Sequence, residues 1–103
     1  MLVFRRSPEF HTWLGQLADL RARARILTRL DRASLGNFGD CKPVGEGVSE
    51  MRIDVGPGYR IYFVREGGEV YVLLVGGDKS SQKRDIQIAL AMARKLKQER
   101  GPQ

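Results

Sequence analysis

Hydrophobic and polar residues alternate through the middle of the chain, between residues 48 and 82. Met51, Ile53 and Val55 are separated by polar residues, and this period of two is typical of a strand with one buried face. A second alternating run follows, and residues 70–75 are apolar at every position, which predicts a strand covered on both faces. Glycine-rich segments between the runs favour tight turns. The pattern predicts three consecutive strands.

The same alternation assigns side chains to the two faces of this sheet. Arg52, Arg60 and Tyr62 are predicted on one face, opposite the apolar residues of the same strands, with Arg60 exposed to solvent. Lys79 follows at the end of the third strand, and Lys42 lies before the first. The register therefore predicts a basic surface on the sheet.

Helical patterns precede the sheet. An apolar segment at residues 2–4 predicts an initial strand, and Ser7 is expected to cap the helix that follows it. Asp19 is expected to cap a second helix. That helix is predicted to bury four apolar side chains: Leu20, Ala24, Leu27 and Leu30. Its opposite side carries five arginines, interpreted first as a solvated face and second as a phosphate-binding stripe: Arg21, Arg23, Arg25, Arg29 and Arg32.

The remaining segments complete the fold prediction. Residues 36–47 contain glycines and Pro43 without periodicity, which favours a loop. A last helix is predicted over the apolar positions of residues 86–96, and the polar tail 97–103 is expected to fray. The order β-α-α-β-β-β-α predicts one α+β domain over residues 1–103. Its small antiparallel sheet packs against an N-terminal helical hairpin, with a C-terminal helix at the other face or edge.

The amino-acid composition limits the classes of partner and site that the chain is expected to have. The chain has 103 residues and a formal charge of +6, from 18 Lys and Arg against 12 Asp and Glu. This balance suits RNA, DNA or an acidic protein segment without choosing among them. One cysteine and one histidine argue against a transition-metal site within one chain and fit a reducing compartment. The longest apolar run is far shorter than a membrane span, so a cytoplasmic protein is expected.

The predicted basic surface is the main candidate for chemistry. Arginine forks match phosphate oxygens in pairs, whereas a desolvated lysine can also donate or accept a proton. Tyr62 could stack on a base or donate its hydroxyl. A competing interpretation is a solvated sheet face in which Arg52 pairs with Glu50, Asp54 or Glu66, and the spacing alone favours this interpretation.

Short motifs recur in order along nearly all of residues 1–97: Phe10-x-x-Trp13-Leu14, Ala22-Arg23-Ala24-Arg25-Ile26, Gly36-Asn37-x-Gly39-Asp40, Lys42-Pro43-Val44-Gly45, Glu50-Met51-Arg52-Ile53, Gly58-Tyr59-Arg60-Ile61-Tyr62-Phe63 and Gly76-Gly77-Asp78-Lys79-Ser80-x-Gln82-x-x-Asp85-Ile86. Together they resemble the RelE/ParE superfamily of bacterial toxins, and most closely its HigB-like addiction module killer branch.

The resemblance implies a cytoplasmic toxin of a type II toxin–antitoxin module, neutralised by a cognate antitoxin of the helix-turn-helix type. Many members are ribosome-dependent endoribonucleases that cut mRNA and inhibit translation with neither metal nor cofactor. ParE-like members instead poison DNA gyrase. A third hypothesis is a non-catalytic module that only binds antitoxin or RNA.

The resemblance also assigns roles to residues. Arg60 matches the arginine of the Gly-Tyr-Arg strand motif, which contacts the scissile phosphate in ribonuclease members. Lys79 falls where those members carry a basic residue after the last strand, and Arg52 occupies a basic position one strand earlier. Neither a strand histidine nor a tyrosine in the final helix is present, and Asp85 lies close to the latter position. The expected catalytic residues are therefore Arg60, Lys79 and Arg52. The expected substrate-binding residues are Tyr62, Lys42 and Asp85.

Overall fold

The computed structural model describes residues 1–100. Along the chain the elements are β1 (Val3–Arg6), α1 (Pro8–Gln16), α2 (Leu20–Ser34), β2 (Cys41–Gly45), β3 (Val48–Ile53), β4 (Tyr59–Gly67), β5 (Val70–Asp78), a single 3-10 turn (Lys79–Ser81) and α3 (Gln82–Glu99). This confirms the predicted α+β class with a C-terminal helix. Among these helices, none has the length and apolar content needed to cross a membrane.

The strands form one sheet in the order β1-β5-β4-β3-β2. Neighbouring strands are antiparallel, except that β1 runs parallel to β5. The loop predicted over residues 36–47 is wrong in part, because β2 pairs there with β3. A tight turn joins these strands, with φ of 52° at Glu46 and 83° at Gly47, as in a two-residue hairpin connection. The extra strand places Lys42 in the sheet rather than in a loop.

Helices cover both faces of the sheet. The first core lies beneath α1 and α2 and includes Phe10, Ile26 and Phe63. The second core lies beneath α3 and includes Leu74 and Ala89. The interior strand β5 contacts both α1 and α3, as its uninterrupted apolar sequence predicted. On the same face, α3 also contacts β4 and β3.

The helix starts agree with the predicted caps. Ser7 Oγ accepts a hydrogen bond from Phe10 N at 2.9 Å, and Asp19 Oδ1 accepts one from Ala22 N at 3.0 Å. Each cap satisfies one of the amide groups that a helix start leaves without an intrahelical partner. At the other end of the chain, α3 includes residues 97–99 of the predicted tail, whereas residues 101–103 lie outside the described residues.

The predicted buried face of α2 is confirmed at Leu30 and wrong at Leu20, Ala24 and Leu27, which are exposed. Leu20 is 70% exposed and Leu27 is 38% exposed. The helix instead buries two small and two large side chains: Ala22, Ile26, Leu30 and Ala33. This rotation turns Arg29 towards the sheet, where its guanidinium donates hydrogen bonds to main-chain carbonyls, and leaves Arg25 exposed. The arginines of α2 are therefore not one uniform solvated stripe.

Candidate functional site

The ladder between β3 and β4 sets the positions of the predicted site residues. Glu50 lies opposite Tyr62, and Arg52 lies opposite Arg60. Lys42 on the edge strand β2 lies opposite Glu50. Because side chains alternate along a strand, these five residues project on the α3 face, away from the first core. The structure therefore brings together two arginines, a tyrosine and a carboxylate.

Glu50 is at the centre of this group, with a side chain that is 0% exposed. Its Oε2 accepts hydrogen bonds from the Tyr62 hydroxyl at 2.9 Å and from Gln82 Nε2 at 3.0 Å. Its Oε1 accepts a hydrogen bond from Arg52 Nε at 3.2 Å and lies 3.7 Å from Arg60 Nε. One buried carboxylate thus links two strands and the start of α3.

The surroundings of Glu50 keep it ionised. Burial is the largest influence on its carboxyl group and raises its pKa. Hydrogen bonds from Gln82, Tyr62 and Arg52, together with the charge of Arg60, outweigh burial, so the pKa lies below its ordinary value. Burial, followed by the bond to Glu50, raises the pKa of the Tyr62 hydroxyl. At neutral pH the pair consists of a charged carboxylate and a protonated phenol.

Both arginines are held by this carboxylate, but they differ in exposure. The Arg52 side chain is 39% exposed, whereas that of Arg60 is 13% exposed. The prediction of an exposed Arg60 is therefore wrong, because its side chain lies against Glu50. Its Nε is buried and forms no hydrogen bond with a described residue. The Arg52–Glu50 ion pair is one that the competing interpretation predicted.

The start of α3 closes one side of the site. Ser81 Oγ donates a hydrogen bond to Asp85 Oδ2 at 2.5 Å. Asp85 is 6% exposed and lies against Gly77, where an added Cβ would be 1.9 Å from Asp85 Oδ2. Glycine at this point of β5 therefore allows the first turn of α3 to approach the sheet. That approach carries Gln82 to Glu50.

The other predicted residues have unequal access to a substrate. Tyr62 is 0% exposed, so its ring is not available to stack on a base, and its hydroxyl supports Glu50 instead. Asp85 is likewise buried and bonded to Ser81. Lys42 and Lys79 are exposed, and neither forms an ion pair with a residue in the described part of the chain. Lys42 lies opposite Glu50 on the edge strand, and Lys79 lies just after the end of β5.

Sequence reasoning considered Glu50 only as a counter-ion and did not single out Gln82 as a site residue. The sequence does contain one signal for Glu50. It is an acidic residue at an alternate position of β3 whose neighbours on the same face include basic and aromatic residues of β3 and β4. No comparable signal exists for Gln82, because its contact depends on where α3 packs.

The arrangement can bind an anion and stabilise added negative charge. Two guanidiniums share the carboxylate of Glu50, and Lys79 follows directly after the ladder pair of Asp78 and Tyr59. Fixed cations are effective at stabilising charge that develops in a transition state, because they need little reorganisation.

Comparisons with known proteins cover this site. The family model described as "Phage derived protein Gp49-like (DUF891)" matches residues 13–96. A protein of Haemophilus influenzae, named "Uncharacterized protein", is 48% identical over 87 residues, which are 84% of this chain and 88% of the relative. The family match includes the whole of β3, β4 and β5 and the first turns of α3.

Proposed function

The chain belongs to the phage-derived Gp49-like protein family, a toxin-like family related to RelE/ParE-type toxin–antitoxin modules, and from this premise we propose that it is the toxin of such a module. Within that relationship, the motifs along the chain favour the HigB-like branch. The proposed activity is ribosome-dependent endonucleolytic cleavage of mRNA, which inhibits translation.

The Glu50-centred arginine pair carries the proposal. Arg52 and Arg60 are directly opposite on neighbouring strands, where two like charges would repel each other. Glu50 offsets this repulsion and holds both guanidiniums on the α3 face of the sheet. A site prepared in this way suits a phosphate group with its charge spread over several oxygens.

The proposed reaction is a transesterification. The 2′-oxygen attacks the adjacent phosphorus as its proton passes to water, and the bond from phosphorus to the 5′-oxygen breaks as that oxygen gains a proton from Lys79 or from water. The products are a 2′,3′-cyclic phosphate, or its opened form, and a 5′-hydroxyl. Arg60 and Arg52 bind the non-bridging oxygens and stabilise the transition state. Lys79 transfers a proton or stabilises the leaving oxygen. No metal or cofactor takes part in this scheme.

Expression without an antitoxin tests this proposal. We expect translation to stop and mRNA to fragment soon after induction in a bacterial host. Trapped gyrase–DNA breaks with intact mRNA would instead support the ParE-like alternative. Normal growth, with the folded chain present, would support a non-catalytic binding module.

The proposed partner is a small antitoxin of the helix-turn-helix type. Its acidic or amphipathic segment would cover the cations of the site or pack on α3, where Ile88 is 41% exposed. A cavity of about 340 Å³ nearby is lined in part by Met92, Leu74 and Val72. Co-expression with the adjacent gene tests this pairing. Copurification and rescue of growth are expected, and the absence of both would contradict it.

A further inference from the structure

A second basic cavity, of about 440 Å³, lies between α2 and β3. Arg25, Arg29 and Arg32 line it from α2. Their spacing of four and three residues places them on one side of the helix. Arg52 also lines this cavity. Its carbonyl accepts a hydrogen bond from Arg29 Nη1, whereas its guanidinium bonds to Glu50, so the cavity and the candidate site adjoin at this residue of β3.

Arg29 is built into the wall of this cavity. Its Nη1 donates a hydrogen bond to the carbonyl of Arg52 at 2.5 Å, and its Nη2 donates one to the carbonyl of Phe38 at 3.1 Å. Gly39 has a φ of +67°, and a Cβ there would lie 2.9 Å from Arg29 Nη2. The guanidinium is therefore fixed by main-chain oxygens, with a glycine leaving room for it.

The positive charge of the cavity is only partly compensated. Asp40 and Asp54 line it beside the four arginines. Within residues 1–100, neither aspartate forms an ion pair with Arg25, Arg29 or Arg32. Cations that outnumber carboxylates in a concave surface attract anions from solution.

We propose that this cavity binds the phosphodiester backbone of single-stranded RNA, as a second contact for the strand whose scissile phosphate lies at Arg52 and Arg60. The two places adjoin at Arg52, whose carbonyl contacts Arg29 and whose guanidinium contacts Glu50, and this is the reason for choosing a strand that passes the end of β3 and reaches both. The identity of that strand as RNA rests on the proposed function, whereas the phosphate contact rests on the arginines themselves.

A binding measurement that needs no cleavage tests this inference. The probe is a short, labelled 2′-O-methyl oligouridylate, which lacks the attacking hydroxyl, and its anisotropy is followed at several salt concentrations. Arg25→Gln/Arg32→Gln should raise the Kd about tenfold in low salt and reduce the salt slope by roughly 1.4, the value for two phosphate contacts on a single strand. The matched control, Arg6→Gln/Arg65→Gln, removes the same charge from exposed positions outside the cavity and should change the slope much less.

Equal weakening by the two double variants would overturn the proposal, because net charge alone would then explain binding. No binding by the unmodified chain in low salt would also overturn it. Polyglutamate can also be added as a competitor. If it displaces the labelled probe as well as unlabelled oligonucleotide does, and the same arginine substitutions weaken it, the cavity binds an acidic protein segment instead of RNA. If the oligonucleotide binds as expected but mRNA is never cleaved, the proposed function fails while the phosphate contact stands.

Discussion

Glu50 is the residue on which the candidate site depends. It is fully buried, and it accepts hydrogen bonds from Arg52, Tyr62 and Gln82. Its charge also lies 3.7 Å from Arg60 Nε, close enough to hold a guanidinium that forms no hydrogen bond through that atom. Removal of this carboxylate would leave two facing arginines without their shared counter-ion, a situation that is costly inside a protein.

Glu50→Gln tests this role through the pH dependence of stability. The folded-state pKa of Glu50 lies below its ordinary value of 4.5, so its charge contributes stability above that value and the contribution is lost as the pH falls through the folded pKa. We expect Glu50→Gln to unfold more easily by about 1–3 kcal/mol at neutral pH. The loss of stability in acid should also be smaller in the variant. Urea denaturation at a series of pH values measures the free energy of unfolding of both chains. If the two free energies changed with pH in parallel, Glu50 would not be the charged group that stabilises the fold.

Arg60→Gln tests the proposed chemistry. Loss of a fixed charge at the transition state should lower mRNA cleavage roughly 10²–10³-fold. Glu50 keeps three hydrogen-bond donors in this variant, so the chain should fold with a modest loss of stability. Arg65→Gln, an exposed arginine of the same strand, is the matched control and should retain cleavage. A folded Arg60→Gln chain with full toxicity would remove Arg60 from the mechanism.

At the scale of elements, the contact between β5 and the start of α3 positions Gln82. Gly77→Ala places a methyl group 1.9 Å from Asp85 Oδ2 and 2.7 Å from Ser81 Oγ. We expect a loss of about 1–3 kcal/mol from this overpacking and a displaced first turn of α3. Gly15→Ala in α1 is the control, since an added Cβ there would meet no atom within 4 Å beyond its chain neighbours and its own helix backbone, and alanine favours a helix. The denaturant midpoints of the two variants measure their stabilities. Equal midpoints would contradict the close approach of Asp85 and Ser81 to Gly77.

The orientation of α2 gives a second prediction for an element. Ile26 is 0% exposed and lies in the first core, whereas Leu27 is 38% exposed. Ile26→Ala should therefore cost about 2–5 kcal/mol. Leu27→Ala should cost much less, because the removed atoms are partly in contact with water. Thermal unfolding of the two variants distinguishes the observed buried face from the predicted one. A larger loss of stability in Leu27→Ala than in Ile26→Ala would support the predicted face and contradict the structure.

Local patterns predicted the elements whose signals lie within a few residues. The caps at Ser7 and Asp19 and the alternation of β3 and β4 are of this kind. Strand β2 has Pro43 and Gly45 in place of alternation, so only its pairing with β3 defines it. Most of the buried face of α2 was predicted incorrectly because Ala22 and Ala33, two small residues, face the core. Close packing of a helix on a sheet is a tertiary property that leucine spacing does not reveal.

At the scale of the whole molecule, the sheet register brought the predicted arginines together, as alternation within the strands anticipated. Arg52 and Arg60 are neighbours because β3 and β4 pair in the register that buries their apolar residues. Contacts made by Gln82 and Asp85 require α3 to pack on this face, and the second cavity requires α2 to approach β3. Long-range packing of this kind has no short sequence signature.

The chemistry of the RNA ends tests the central claim most directly, namely that the chain cleaves ribosome-bound mRNA through attack by a 2′-hydroxyl. Purified ribosomes carrying a defined mRNA are incubated with the unmodified chain or with Arg60→Gln, and the ends of the fragments are analysed. The account predicts 5′-hydroxyl ends and 2′,3′-cyclic phosphates, or their opened products, from the unmodified chain, with far fewer fragments from Arg60→Gln. Uncut mRNA, or fragments with 5′-phosphate and 3′-hydroxyl ends, would contradict it.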